Sequence, residues 1–336
     1  MNFKDKSILI TGGTGSFGKA FAKYLLQEDV CRKVIIFSRD EWKQWEMKQL
    51  DPIYEHEKIR YFLGDVRDAQ RLKIAFRDVD CIVHAAALKQ VPAAEYNPHE
   101  FIKTNIEGAM NVIDCAIDQK VEKVVALSTD KAVNPVNLYG ATKLCSDKLF
   151  IASNSYVGEQ KNPVFSVVRY GNVLGTRGSL IPFWLSLVAG GSKTLPVTDE
   201  RMTRFWITLP QACRFVLSCL DRMKGAEIFV PKIPSMKIID MAKAVASQCK
   251  VEVKGIREGE KLHELLISAE EAKYTFDLDD KYVILPPVHK KNLSTRKEAI
   301  EGEGSKVPEG FLYSSETNPK TLSESELRRV LKNEVF

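Results

Sequence analysis

The chain has 336 residues, 44% hydrophobic and 28% charged, with a net charge of +5, which is the composition of a globular protein long enough to bury a sizeable core. The small charge and the lack of a long Lys/Arg run argue against a nucleic-acid partner, although local basic clusters could hold a phosphorylated substrate. No apolar run reaches the ~18–20 residues of a membrane-spanning helix, and the apolar stretch 7–11 is too short for a signal peptide. The seven cysteines are scattered, odd in number and without a CxxC pair, so they read as reduced thiols of a cytoplasmic protein. Five histidines without HxxxH spacing support no metal site.

Taken in chain order, Ser7–Thr11 reads as a short strand. It runs into Gly12-Gly13-Thr14-Gly15-Ser16-Phe17-Gly18 and then an amphipathic stretch to about Gln27. Glycines between a strand and a helix permit a tight turn and close approach of a pyrophosphate, which the helix N-terminus favours. A dinucleotide site is expected there. Val34–Phe37 is the second strand, followed by Ser38-Arg39-Asp40-Glu41-Trp42-Lys43. An acidic residue leading that segment would suit the ribose of NAD. A hydroxyl and a guanidinium lead it instead, so Arg39 and Lys43 suit a 2′-phosphate and NADP is preferred; Arg39 as a solvated charge and a ribose contact from Asp40 stay open. Asp65-Val66, after the strand Tyr61–Leu63, either meets the adenine amino group or caps a turn.

Further strands fall at Cys81–His84, Val124–Leu127 and Phe165–Val168, and helical patterns at about Ala69–Arg77, Ile106–Asp118 and Leu138–Ser153. The alternation predicts an α/β fold, a Rossmann-type doubly wound parallel sheet covered on both faces. At the end of the fifth strand stand Thr129, Asp130 and Lys131, and Tyr139 and Lys143 follow four apart on one helix face. A lysine ammonium beside a tyrosine can draw its pKa down so that it takes a hydroxyl proton. Two acid/base sets close together imply more than one proton transfer, beyond what a simple alcohol dehydrogenase needs. After Gly171 the pattern changes to helices near Ile181–Ala189, Leu209–Arg222 and Ile238–Ser247, separated by Pro/Gly-rich connections. The expected organisation is a dinucleotide-binding domain over 1–170, with later elements returning to it near 204–230. A smaller, interleaved substrate domain covers 171–285 and an extension 286–336, which ends in a helix capped near Leu322–Leu327.

TGGTGSFG, the stretch 84–89, Asn105, YGATK and the segment 169–173 together resemble the extended short-chain dehydrogenase/reductase family over about residues 5–285. More narrowly, SRDE at 38–41, AEYNP at 94–98, STDKA at 128–132, RMTRFW at 201–206 and GEKLHE at 259–264 resemble the inverting UDP-N-acetylglucosamine 4,6-dehydratases, the first enzymes of pseudaminic acid synthesis for flagellin glycosylation. Retaining sugar-nucleotide dehydratases carry Asp-Glu where this chain has Asp130-Lys131.

The resemblance implies tightly bound NADP, regenerated at each turnover and also contacted by Ala85, Ala87, Lys89 and Asn105. Tyr139 would take the C4 hydroxyl proton, with Lys143 holding it anionic and contacting the nicotinamide ribose. Lys131 would remove the C5 proton and Asp130 would protonate the departing C6 hydroxyl, although which of the two is the base stays open. A lysine base needs a lowered pKa, and the alternative is a plain salt bridge to Asp130. Thr129 would bond the C4 oxygen or cap the strand. Lys89, Asn172, Leu180, Ile181, Pro182, Phe183, Thr198, Arg257 and Glu260 would contact the UDP-sugar, with core or solvated roles as the alternatives. The resemblance further implies a homo-oligomer, dimer or hexamer, with Cys145 and Leu149 at a subunit interface. A sugar 4-epimerase would share YxxxK without needing Asp130-Lys131, and a non-enzymatic dinucleotide sensor would need neither set.

Overall fold

The computed structural model describes residues 3–158, 162–287 and 300–333. Six strands of one large sheet are β1 (Ser7–Thr11), β2 (Lys33–Ser38), β3 (Ile59–Leu63), β4 (Cys81–His84), β5 (Lys123–Thr129) and β6 (Val164–Tyr170). They run parallel in the order β3-β2-β1-β4-β5-β6. That is the doubly wound order whose ligands bind beyond the carboxyl ends of the strands. The register aligns those ends, with Thr11 opposite Phe37 and His84, and Thr129 opposite Tyr170. β1 is buried along its whole length and β5 over all but its two terminal residues, as expected of strands with helices on both faces.

The sheet continues past β6. Ile228–Pro231 pairs parallel with β6, and Lys281–Ile284, Thr275–Asp277 and Ser305–Lys306 add antiparallel strands. The segment after Pro286 therefore contributes an edge strand. A further strand, Tyr313–Ser314, pairs with Leu265–Ile267. Residues 288–299 of that extension lie outside the described residues. The terminal helix Glu324–Asn333 has the expected cap: Ser323 Oγ accepts from Glu326 N–H, while the Glu326 carboxylate accepts from Ser323 N–H. A second apolar cluster, separate from that of the sheet, gathers Ile181, Trp184, Leu195, Trp206, Met241 and Leu327 among others.

Two helical features differ from the sequence reading. Glu41–Leu50 is a helix that hydrophobic periodicity does not reveal, because only Gln44 and Met47 are buried on it. The helix expected from Ile106 is regular only over Gly108–Asp118, and is preceded by a π-helical turn at Lys103–Glu107 and a short helix at Pro98–Ile102. The wider π turn buries Asn105.

One buried charge network joins sheet, helix and later chain. Arg169 on β6 is 1% exposed and donates to both carboxylate oxygens of Glu271, at 3.1 and 3.0 Å, and to Asp147 at 3.4 Å. Asp147 stands one turn beyond Lys143 on the helix Leu138–Ser153 and also accepts from Ser128 at 2.9 Å. Arg169→Ala would remove the larger of the two cations beside buried Asp147, the other being Lys143, and would unpair Glu271, so unfolding free energy should fall by about 3–5 kcal/mol. Chemical denaturation checks this; a loss below about 1 kcal/mol would mean that the site absorbs the unpaired charge.

Candidate active site

The glycine turn is shaped for close approach. Gly12 has φ +65°, and a Cβ there would lie 2.8 Å from Ala86 Cα; at Gly18 it would lie 2.5 Å from Gly13 O. The helix Ser16–Gln27 begins at Gly15 with no side-chain cap, so its first N–H groups face outward for an anionic ligand. Glycine turn and uncapped helix together fit a dinucleotide pyrophosphate. Thr14 and Ser16 are half-buried at this turn, and Ser16 Oγ accepts the Arg177 N–H at 3.2 Å. Phe17 is half-buried and stacks on Phe21 with ring centroids 5.4 Å apart.

At the end of β2 the roles divide. Ser38 is buried and its Oγ accepts from Gln44. Asp40 caps the helix Glu41–Leu50, accepting from Lys43 N–H at 3.0 Å and pairing with the Lys43 ammonium at 3.0 Å. The hydrogen bonds to Lys43 hold its carboxyl below the usual range. Asp40 and Lys43 are thus engaged with each other. Arg39 is half-exposed, its one ion pair among the described residues being to Asp65 at 3.6 Å, and it borders an open groove of about 690 Å³ that Asp40, Glu41, Trp42 and Trp45 also line. Asp65 pairs with Arg67 at 2.8 Å and accepts the Arg67 N–H, the turn-capping role left open by the sequence.

Three residues expected at cofactor or substrate have side chains engaged within the protein. Val66 is buried, and a Cβ on Gly108 would come within 2.7 Å of Val66 Cγ2, so its side chain packs against the helix that Gly108 begins. Asn105 accepts from Leu88 N–H and donates to Leu88 O and Thr142 Oγ1. Its amide fastens the segment after β4, which includes half-buried Ala85 and exposed Ala87, to the helix Leu138–Ser153. Ile181, 1% exposed, belongs to the second apolar cluster.

The reactive centre lies at the end of β5. Thr129 Oγ1 donates to Asp130 Oδ1 at 2.9 Å, and Lys131 Nζ donates to the same oxygen at 3.1 Å. Asn137 caps the helix that carries Tyr139 and Lys143 by accepting the Gly140 N–H at 2.8 Å. A Cβ at Gly140 would lie 2.2 Å from Lys131 O, so glycine lets the two acid/base sets pack together. Tyr139 and Lys143 are buried, and Lys143 Nζ donates to Leu127 O at 2.8 Å.

The electrostatics reverse two expectations. Burial pushes the Tyr139 phenol up to about 12, and the cation that opposes this is Lys131, assisted by the adjacent Thr129 hydroxyl, rather than Lys143. Burial alone would depress Lys131, but the carboxylates of Asp130 and Glu264 outweigh it and hold the ammonium above the usual lysine range. Lys131 therefore rests as an ammonium in an ion pair with Asp130. Burial depresses Lys143, with Asp147 opposing. Lys89 is exposed as a residue, yet the protein around its ammonium and nearby Lys131 lower its pKa.

Asn172 and Pro182 are half-buried and Phe183 is exposed. Leu180 packs against the second cluster, and Thr198 donates to Met202 Sδ. Arg257 and Glu260 bind each other, with Arg257 Nε 3.0 Å from Glu260 Oε1, so neither is presented singly. Cys145 is exposed, whereas Leu149 packs partly against the main core. All seven cysteines are free. No group of metal-ligating side chains occurs, and no helix is long and apolar enough to cross a membrane, among the described residues.

Sequence reasoning missed Glu264. It is 2% exposed, and its Oε1 lies 3.2 Å from Lys131 Nζ and 3.9 Å from Arg204 Nε. RMTRFW and GEKLHE contain both residues, but their sequence distance from Lys131 concealed the contact.

A polysaccharide biosynthesis protein family model matches residues 8–286. The chain belongs to the polysaccharide biosynthesis protein family. Within the reach of this family, the chain is 54% identical over 331 residues to a UDP-N-acetylglucosamine 4,6-dehydratase (inverting) of Campylobacter jejuni, covering 98% of both chains. A UDP-glucose 4-epimerase of Rickettsia akari is 40% identical over 336 residues, 98% of this chain and 96% of that protein. Among solved structures, Pen from Bacillus thuringiensis superposes with a TM-score of 0.88 at 35% identity, covering 99% of each chain. The dTDP-glucose 4,6-dehydratase of Streptomyces venezuelae, solved with NAD and TYD, gives a TM-score of 0.68 at 26% identity over 76% of this family member and 86% of that chain.

Proposed function

We propose that this protein is an inverting UDP-N-acetylglucosamine 4,6-dehydratase that forms the L-arabino 4-keto-6-deoxy product. The observation that carries the reading is the packing of Tyr139, one helical turn from Lys143, against the Thr129-Asp130-Lys131 turn, whose hydroxyl, carboxylate and ammonium are hydrogen-bonded in series. The 54% identity to the Campylobacter jejuni enzyme over nearly the whole chain supports it.

The cofactor is a nicotinamide dinucleotide, which when bound would accept hydride from C4 of the sugar and return it at C6. Gly12, Gly15 and Gly18 would hold its pyrophosphate and Lys143 its nicotinamide ribose. Burial opposes ionisation of the Tyr139 phenol, whereas Lys131 and the positive charge of a bound nicotinamide would favour it; the phenolate form then takes the C4 hydroxyl proton, with Thr129 beside it. The ketone then acidifies the C5 hydrogen, so a modest base suffices. Lys131 rests as an ammonium, and moving one proton across 3.1 Å to Asp130 Oδ1 creates an amine and a carboxylic acid. The amine takes the C5 proton and the acid protonates the departing C6 hydroxyl. Water leaves, and the pair returns to its resting ion-pair form. Once C6 has received hydride, a proton drawn from solvent and delivered to C5 from the opposite face inverts that centre. Lys89, Asn172, Phe183 and, once released from Glu260, Arg257 would engage the UDP-sugar.

NADP is the preferred form. Arg39 is the cation at the β2 end not already engaged by Asp40, and its long pair with Asp65 is of the weak surface kind. Arg39→Ala should weaken NADP(H) roughly ten- to a hundredfold while leaving NAD affinity little changed. Titration with both cofactors checks this, and equal loss of both would remove Arg39 as the selector.

The activity is tested by incubating the protein with UDP-N-acetylglucosamine in deuterated water and stopping early. The expected product has lost one water, carries solvent deuterium at C5 and has the inverted configuration by proton NMR. An isomer of unchanged mass would instead indicate a 4-epimerase, the activity named for the Rickettsia relatives. Retained configuration would overturn the inverting assignment, and no reaction would overturn the enzyme reading.

A further inference from the structure

Glu264 is positioned independently of the catalytic turn it touches. Its N–H donates to Ser315 Oγ at 3.0 Å and its carbonyl accepts the Ser315 N–H at 2.9 Å. Ser315 Oγ in turn meets Thr203 Oγ1 at 2.7 Å, and Thr203 Oγ1 meets His263 Nδ1 at 2.8 Å. The late segment around Tyr313–Ser314 thus clamps the 259–264 loop through main-chain and hydroxyl contacts. From that clamp the Glu264 side chain reaches Lys131, where Oε1 lies 3.2 Å from Nζ. Its Oε2 is buried and has no hydrogen-bond partner among the described residues; the Lys261 ammonium is 3.7 Å away. Asp130 Oδ2 is likewise buried and unpartnered.

Two buried carboxylates therefore flank one ammonium, each with an oxygen to spare. Burying ionised groups costs several kcal/mol apiece unless every site on them is satisfied. A cluster optimised only for stability would not leave two carboxylate oxygens unfilled. The other titratable groups around it are Arg204 from the strand Thr203–Ile207, Lys261 from the same loop, Lys89 from the segment after β4, and Tyr139; His263 of that loop turns away to Thr203 Oγ1 and Glu316.

We infer that Glu264 is a positioning residue that sets the protonation state of Lys131, and that the clamped C-terminal segment keeps it in place. This deepens the dehydratase reading and rests on it. Ionised Glu264 competes with Asp130 for the ammonium and so favours the resting ion pair over the amine and carboxylic acid that perform the elimination. Loss of its charge leaves Lys131 facing Arg204 and Lys261 with Asp130 as sole counter-ion, which makes the lysine easier to deprotonate. The raised pKa of Lys131 agrees with this arrangement.

The test is the pH profile of kcat for water loss in three variants. In Glu264→Gln the limb that reports Lys131 should move to lower pH by about one unit or more, with KM for UDP-N-acetylglucosamine changed by less than about threefold. Glu264→Asp, which keeps the charge, should restore most of the wild-type profile. Lys261→Met removes a cation from the other side and should move the limb to higher pH, so the inference stays testable if the glutamine variant does not fold. A limb that stays in place in a folded Glu264→Gln or Lys261→Met variant overturns the inference, even if activity or melting temperature falls. Failure of the wild-type protein to release water would instead refute the dehydratase reading itself.

Discussion

The site turns on one ammonium held between two buried carboxylates. Lys131 arrives from the end of β5 beside Asp130, and Glu264 reaches it from a loop far along the chain. Desolvating three charges is tolerable only with close geometry, and much of the surrounding architecture supplies that geometry. The capped helix start at Asn137, the absence of a side chain at Gly140 and the clamp through Ser315 all converge on this point. Two halves of the polypeptide are thereby coupled where chemistry is proposed.

This interaction also changes how the tyrosine is understood. A YxxxK pair alone suggests a lysine that ionises its tyrosine. Here Lys143 donates to a backbone carbonyl and feels Asp147, while Lys131 is the cation that opposes the effect of burial on Tyr139. Tyr139, Thr129, Asp130 and Lys131 are electrostatically one unit, so a proton gained at one end alters the other. Such coupling suits a reaction that needs an oxidation and an elimination in succession on neighbouring carbons.

Much of this was legible in the sequence, for local reasons. β1, β2, β4, β5 and β6 are short apolar runs, the glycine turn sits between a strand and a helix, and Tyr139 and Lys143 share a helical face. The unread features depend on partners distant in the chain or on signals other than apolar periodicity. The helix Glu41–Leu50 buries too little for a stripe, and its Asp40 cap resembled a ribose ligand. Asn105 looked like a cofactor contact because a polar residue at a family landmark suggests a ligand, yet its partners Leu88 and Thr142 meet it only through the π turn and sheet packing. Val66 and Ile181 were drawn into core by neighbours their own segments do not reveal. Glu264 became visible only when the strand pairing of Leu265–Ile267 with the C-terminal segment brought it beneath Lys131.

The most direct test of the account separates the two acid/base sets in time, by rapid mixing of substrate with cofactor-loaded variants while nicotinamide absorbance and water loss are both followed. Tyr139→Phe should show no transient reduced cofactor. Lys131→Met should show it and stall before water leaves. Dehydrated product from Lys131→Met at near the wild-type rate would contradict the account.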